Sequence, residues 1–376
     1  MSTQPFMRPS IADVVTSAPW ASLEVHLDGL RDRVDASLER AHGLREAYRE
    51  ELLSRSPELA EQVHRPSRSA LDAAERLLAT GTVAAADGTV DAVPLLTGSK
   101  IQVGVVLVSN RGEVVDLVTR IFEYELASGA SSATDFFAQL RTARSISNLL
   151  SRAVMLFGER RLLRDHPADW RMIHGELMPH ELRTGAGRPD ANLPPTFDLV
   201  RSYVDSETFI AVSESPQDLD ILNAAVLLEP GEYIVIRSMV ETLSVFLDGD
   251  PTIGTVRANF NANDERRFRE FIASAGPEVA VVLAKAGNAP FLLECHANRV
   301  EEAVALFMAD ALWTRGLPSE GSPMAARAFP FHIDLADQVA RTLFKGADFR
   351  AFVEARLAMV GADTALFDLD PRRTRS

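Results

Sequence analysis

The sequence holds a single cysteine, Cys295, and only three lysines, Lys100, Lys285 and Lys345, among 376 residues. One cysteine excludes an internal disulfide and any cysteine-rich zinc site. No apolar run approaches the roughly 18 residues needed to span a bilayer, so no membrane association is expected. The opening MSTQPFMRPSIADVV lacks a basic segment followed by an apolar stretch. No secretory signal is therefore expected, and the expected location is cytoplasmic. A glycine-rich phosphate loop, a dinucleotide-binding fingerprint and a Gly-x-Ser-x-Gly elbow are missing too, and TGAG at 184–187 is too short to stand for one. Kinases, simple P-loop ATPases and nicotinamide enzymes are demoted accordingly.

Positive charge is also scarce. The net charge is −14, which is unfavourable for gripping a polyanion with the whole surface. Any nucleic-acid contact should be local, or arranged by a partner. Nearly all the positive charge is arginine, which suits bidentate phosphate contacts and equally reflects a genomic base bias. With 46% apolar and 24% charged residues the chain is that of a globular protein with a sizeable core. Its length suits one large domain with an appendage, or two ordinary domains.

Residues 20–78 read as helix with breaks. Pro57 opens a new turn behind a serine cap, and Ser67 restarts another helix through SALDAAERLLA. This arm, 1–79, is expected to pack or dimerise. From Gly81 the pattern changes. TVAAADGT reads as a short strand ending in Asp-Gly, and IQVGVVLVS and EVVDLVTRIFEYEL as β-runs about an NRG turn. A long helix from about Ala133 to Arg164 follows, stopped by Asp165-His166-Pro167, and WRMIHGEL gives another strand. Beyond Pro194-Pro195, TFIAVSES, YIVIRSMV, ETLSVFLDGD, TVRANFN, VAVVLAKA and FLLECHA read as strands. PQDLDILNAAVLL, 264–273, NRVEEAVALFMADALW and segments starting near Phe331 and Asp348 read as helices. Three β-runs, a helix, a strand, a helix and a strand give an α/β protein with an RNase H-like mixed sheet flanked by helices. The sheet domain is expected over 80–346, with a C-terminal helix and tail over 347–376.

Several residue groups can carry chemistry. Asp87 closes an apolar strand before Gly88, where a carboxylate can face a cleft and bind a hard cation; Asp-Gly is also a common turn. Glu159 is the only acid between Asp135 and Asp165 in the long helix, with Arg160 and Arg161 beside it as ordinary pairing partners. His174 and Glu176 alternate onto one face of an extended chain and could converge on one ion; a polar strand end is the plainer reading. Asp334 and Asp337 stand three apart in the helix after Phe329-Pro330, where acids also compensate the helix dipole.

In this order the segments resemble the NurA family of nucleases. That family has a strand ending Asp-Gly-Ser, here Ala86-Asp87-Gly88-Thr89, and then a long helix with a glutamate. A strand ending Asp-Gly-x-Leu follows, here His174-Gly175-Glu176-Leu177. A later strand carrying a glutamate is matched by FLLECHA with Glu294. A Tyr-Pro lead-in before Ala-His is matched by Phe329-Pro330 and Ala336-Asp337. The resemblance covers roughly Gly81 to Lys345. It implies a metal-dependent deoxyribonuclease using manganese or magnesium, held by Asp87, Glu159 and Asp337, with His174 or Glu176 completing the site. It further implies a homodimer partnered with a HerA-like hexameric ATPase in DNA-end processing, in repair or phage defence. His174 stands where the family has aspartate, Asp337 where it has histidine, and Phe329 where it has tyrosine. Either the site is rebuilt, or the chain is a catalytically decayed structural or regulatory subunit. The alignment requires Asp87 and residue 174 to lie within about 12 Å of each other, the reach of one metal site.

Overall fold

The computed structural model describes residues 10–17, 22–95, 98–111, 114–127, 129, 131–214, 221, 224–225, 227–249, 260–313, 328–344 and 348–360. Contacts divide the chain into two compact units, Met1–Ala60 and Glu61–Ser376. The first is helical, with α1 (Ile11–Ser17) and α2 (Leu23–Arg55), and α3 (Pro57–Gln62) crosses the division. The arm is therefore shorter than the expected 1–79. Helix α4 (Arg68–Thr80), capped by Ser67 and ended by a left-handed Gly81, buries Ala74 and Leu78 in the core of the second unit. Its apolar stripe needs a sheet to cover, so it belongs with the sheet.

The second unit is built on one eight-stranded mixed sheet in the order β3-β2-β1-β4-β5-β8-β7-β6. The strands are β1 (Val83–Leu95), β2 (Gly98–Arg111), β3 (Val114–Ala127), β4 (Trp170–His174), β5 (Phe209–Ser213), β6 (Glu232–Ser238), β7 (Val279–Lys285) and β8 (Phe291–His296). The meander β1-β2-β3 is antiparallel, while β4 and β5 run parallel to β1. This 3-2-1-4-5 order, with helix α5 (Ala133–Asp165) between β3 and β4, is the expected RNase H-like α/β arrangement. Strands β8, β7 and β6 extend it with antiparallel pairs.

Alternation along β1 assigns its two faces. Val83 and Ala85 join one apolar core, whereas Ala84 and Ala86 join the other. The first core is covered by α4 and by α10 (Val300–Trp313), the second by α5 and, beyond the short α6 (His180–Arg183), by α7 (Pro189–Ser206). Helix α11 (Phe331–Phe344) lies along β1 and β2, with Ala336 and Ala340 against Val106 and Val108. Helix α12 (Asp348–Val360) closes the described chain, and among the described residues no helix is long and apolar enough to cross a membrane.

Two expectations need correction. The strand after Gly81 does not end at Asp87, because β2 supplies antiparallel partners as far as Leu95 and no turn follows Gly88. ETLSVFLDGD is not a strand but most of helix α8 (Met239–Asp248), with a Ser238–Glu241 capping box. Its alternating Leu243, Val245 and Leu247 suggest period two, yet the buried set is Met239, Leu243 and Leu247 at period four. Helix α7 runs through Pro194 and Pro195, held by buried Leu199, Val200, Tyr203 and Val204. The helix read at 264–273 is α9 (Ala262–Ala275). Most of TVRANFN and PQDLDILNAAVLL lies outside the described residues.

Candidate active site

The site forms where one strand stops and its neighbour continues. Strand β4 ends at His174 beside β1, whose last paired residue on that side is Ala86, and β1 runs on past this point paired with β2 only. Asp87 is the first β1 residue beyond the pairing. Its Oδ1 accepts the Gly88 N–H at 2.7 Å, and its Oδ2 meets His174 Nδ1 at 3.1 Å. The other imidazole nitrogen, Nε2, lies 3.3 Å from Glu214 Oε1, just past the end of β5. The Phe329 ring stands edge-on to His174 at 5.9 Å.

Glu159 reaches the same place from α5. A Cβ built on Gly88 would lie 2.7 Å from Glu159 Oε1 and 2.8 Å from Met155 Cγ. Glycine is required here for close approach of a helix, not for a turn. Gly88→Ala should displace Glu159, and circular dichroism should show the fold retained while any divalent-ion binding measured by calorimetry falls at least about tenfold. Unchanged ion affinity would separate Glu159 from the site.

Glu159 is 2% exposed. Its Oε2 pairs with Arg160 at 3.3 Å, whereas Oε1 is buried without a partner. Burial, then the charge of Asp87, pushes its carboxyl up to about 8, with Arg160 and His174 pulling the other way. Burial alone would lower His174. Hydrogen bonds to Asp87 and Glu214, with the charges of Asp87 and Glu159, prevail and push it up to about 10. An imidazolium therefore sits between two carboxylates. Asp337, on α11, is raised by burial and then by Asp87, while its 2.7 Å bond to Arg341 opposes this. Asp334 is raised by burial and then by Asp337, with Glu214 adding to it, and it accepts a bond from Gln338 at 2.7 Å.

Asp87, Glu159, His174 and Asp337 thus share one electrostatic neighbourhood, and Asp87 and His174 are in direct contact. Glu176 does not join them. Gly175 turns the chain with φ +78°, and Glu176 pairs with Arg183 at 2.7 Å. The extended geometry that would align residues 174 and 176 ends at His174. Glu294 accepts the Leu177 N–H at 2.5 Å, and burial, then the charge of Glu176, raises its carboxyl to about 7. Glu214 escapes the sequence reading, and Arg160 enters it only as a pairing partner of Glu159, which it is. A carboxylate at the end of a strand parallel and adjacent to β4 is the signal that could have marked Glu214. Arg160 donates from Nε to Leu177 O and from Nη1 to Leu156 O, both at 2.9 Å. Through Nη2 it also reaches His174 O and Glu176 O. It therefore ties the turn after β4 to α5.

As the side chains stand, no three His, Cys, Asp or Glu groups among the described residues enclose an ion. The donor set nonetheless fits one. Glu159 Oε1 is an orphaned buried acceptor beside Asp87, and mutual repulsion among Asp87, Glu159 and Asp337 is relieved by a cation. Hard oxygen ligands suit manganese or magnesium.

No protein-family profile and no curated protein matches the sequence. Among solved structures, the NurA nuclease from Sulfolobus solfataricus is similar at 12% identity and a TM-score of 0.44, over 74% of this chain and 84% of that one. Another NurA structure is similar at 9% identity and a TM-score of 0.46, over 89% and 98%. Endonuclease V from Bacillus subtilis is similar at 12% identity and a TM-score of 0.30, over 73% and 82%.

Proposed function

We propose that this protein is a metal-dependent deoxyribonuclease that hydrolyses phosphodiester bonds. Asp87, Glu159 and Asp337 would hold one manganese or magnesium ion, with His174 and Glu214 at its edge. The observation that carries this reading is the unpartnered, buried Oε1 of Glu159 beside Asp87. A lone buried carboxylate oxygen is costly to leave unsatisfied, and a divalent ion satisfies it while neutralising its neighbours. When bound, such an ion supplies an activated water and stabilises charge on the phosphate and leaving oxygen.

The chain's own groups divide the remaining work. Arg160 holds one oxygen of Glu159 and leaves the other buried against Gly88, the residue after Asp87. Asp87 and Glu214 take both ring nitrogens of His174, so the imidazolium would act on a phosphate at the site's edge through its positive charge and not through a free N–H. The acidic surface disfavours unaided capture of DNA, which supports delivery by a HerA-like hexameric ATPase during DNA-end processing, in repair or in phage defence.

The test is cleavage of linear and circular duplex DNA with manganese, with and without a hexameric ATPase partner. Asp87→Asn should reduce cleavage by at least about a hundredfold, a typical loss for an impaired metal site. Wild-type protein that never cuts DNA under any of these conditions defeats the reading. A second reading, a structural subunit of a HerA-like complex, is favoured by His174 itself. Its imidazolium supplies a positive charge between Asp87 and Glu214 without a metal. Calorimetric titration with manganese separates the two, since the structural subunit should show no binding.

A further inference from the structure

Helix α11 brings Asp337 into the field of Asp87, yet its buried face toward the sheet is made of small side chains. Ala336 and Ala340 lie against Val106 and Val108 of β2. Small residues let a helix sit close to a sheet but give it little to lock its position along its own axis. What fixes that position lies at the two ends. At the C-terminal end the Phe344 ring covers Gly104 of β2, where any Cβ would run into the ring.

At the N-terminal end the local sequence offers no side-chain cap. The Pro330 carbonyl accepts the Asp334 N–H at 3.0 Å, but proline has no side-chain acceptor for the free N–H groups of the first turn. Asp310, 22 residues away on α10, fills the gap. Its Oδ2 accepts the His332 N–H at 3.2 Å, and its Oδ1 meets His332 Nδ1 at 2.6 Å. The two residues are 0% and 1% exposed. The other ring nitrogen, Nε2, is buried without a partner, so among the described residues Asp310 alone holds the ring by hydrogen bonding.

The chain entering this turn is equally constrained. Ala328 is buried with φ +54°, a conformation that an L side chain keeps only where its surroundings over-determine it. Phe329 beside it stands edge-on to His174. The turn therefore touches the acidic site on one side and is tied to α10 on the other. An ordinary N-cap needs one acceptor close in sequence. A carboxylate that takes two donors of one distant residue instead registers α11 against a fixed point in the core.

We propose that Asp310 is a positioning residue for the acidic site: its two bonds to His332 set where α11 lies along its axis, and so where Asp337 stands relative to Asp87. This builds on the assignment of Asp87, Glu159 and Asp337 to one cation. Asp337 follows His332 by five residues on the same helix, so an axial slip at the clamp is carried to the carboxylate. A slip of about 1 Å is large against metal–oxygen distances of about 2.1 Å.

Calorimetric titration of the full chain with manganese, beside thermal unfolding without metal, tests this. His332→Asn puts an amide NH2 where Nδ1 stands, so it keeps the clamp while leaving a cavity. It should unfold at a lower temperature yet bind manganese within about threefold of the wild type. His332→Leu removes the donor, and Asp310→Asn leaves one of the two donors without its acceptor. Each should weaken manganese binding at least about tenfold, the loss typical of groups that hold a metal ligand in place. Without metal, amide hydrogen exchange in the first turns of α11 should be faster in these two than in His332→Asn. If Asp310→Asn does not fold, His332→Leu against His332→Asn makes the same comparison. Affinities that simply follow lost stability across the variants indicate a structural pair and overturn the proposal, as do affinities all equal to that of the wild type. A wild-type chain that binds no manganese removes the cation site itself, and the proposal with it.

Discussion

Arg160→Met is expected to lower the unfolding free energy by about 3–5 kcal/mol, the range for removing one partner of a buried ion pair. Arg160 is among the largest fully buried side chains, and its donors face Leu177 O, Leu156 O, His174 O, Glu176 O and Glu159 Oε2. Methionine fills similar space but removes the guanidinium donors from those carbonyls and leaves Glu159 without its nearest cation. Lysine keeps the charge, yet a single ammonium cannot span α5 and the turn after β4 as a planar guanidinium does, so it should recover only part of the loss. Urea unfolding would show a lower midpoint at an unchanged slope. Adding Glu159→Gln to the methionine variant should return stability mainly above about pH 8, where Glu159 would otherwise be charged and alone in the interior. A loss below about 1 kcal/mol, the worth of one ordinary hydrogen bond, would mean that the turn is held by something else.

That guanidinium also shows where sequence reading stops. Helices with period and stops in their own residues were legible: α5 with Asp165-His166-Pro167 after it, and the starts at Phe331 and Asp348. Two elements were misread because packing overrode local signals. Asp87-Gly88 has turn chemistry but lies inside a ladder that β2 completes, and ETLSVFLDGD alternates like a strand but is a capped helix whose other face is core. In the site, Asp87, Glu159, His174 and Asp337 could be singled out from order and spacing. Their mutual placement depends on β4 ending beside Ala86, which no local pattern encodes. The contacts that organise the surroundings are longer in range still. Leu177 and Glu294 are 117 residues apart, and Glu176 was diverted by one left-handed glycine toward an arginine seven residues on.

His174→Asp should convert a site that carries its own positive charge into one that depends on a bound ion. In the wild type, His174 titrates at about 10 instead of its usual 6.5. The stability supplied by Asp87 and Glu214 is therefore complete below about 6.5 and is lost as pH rises through about 10. Glu159 titrates near 8 instead of 4.5. The native state keeps a proton that the unfolded chain releases, and stability again falls as pH rises, from about 4.5 to about 8. Both contributions have the same sign, so metal-free wild-type protein should lose stability between about pH 6.5 and 8. Aspartate at 174 removes the imidazolium and adds a carboxylate beside Asp87. At about pH 7 the metal-free fold should lose about 3 kcal/mol, the low end for a broken buried pair because His174 is only half-buried. Manganese should then stabilise the variant far more than the wild type, by about 2.7 kcal/mol at a hundredfold excess over its dissociation constant. Asp337→His in the same chain should return a cation to the cluster and restore much of the metal-free stability, provided that residues 174 and 337 face one another across Asp87. Unfolding curves at several pH values, with and without manganese, measure all of this. A His174→Asp variant as stable as the wild type without metal, and no more responsive to manganese, would show that these acids do not form a cation site.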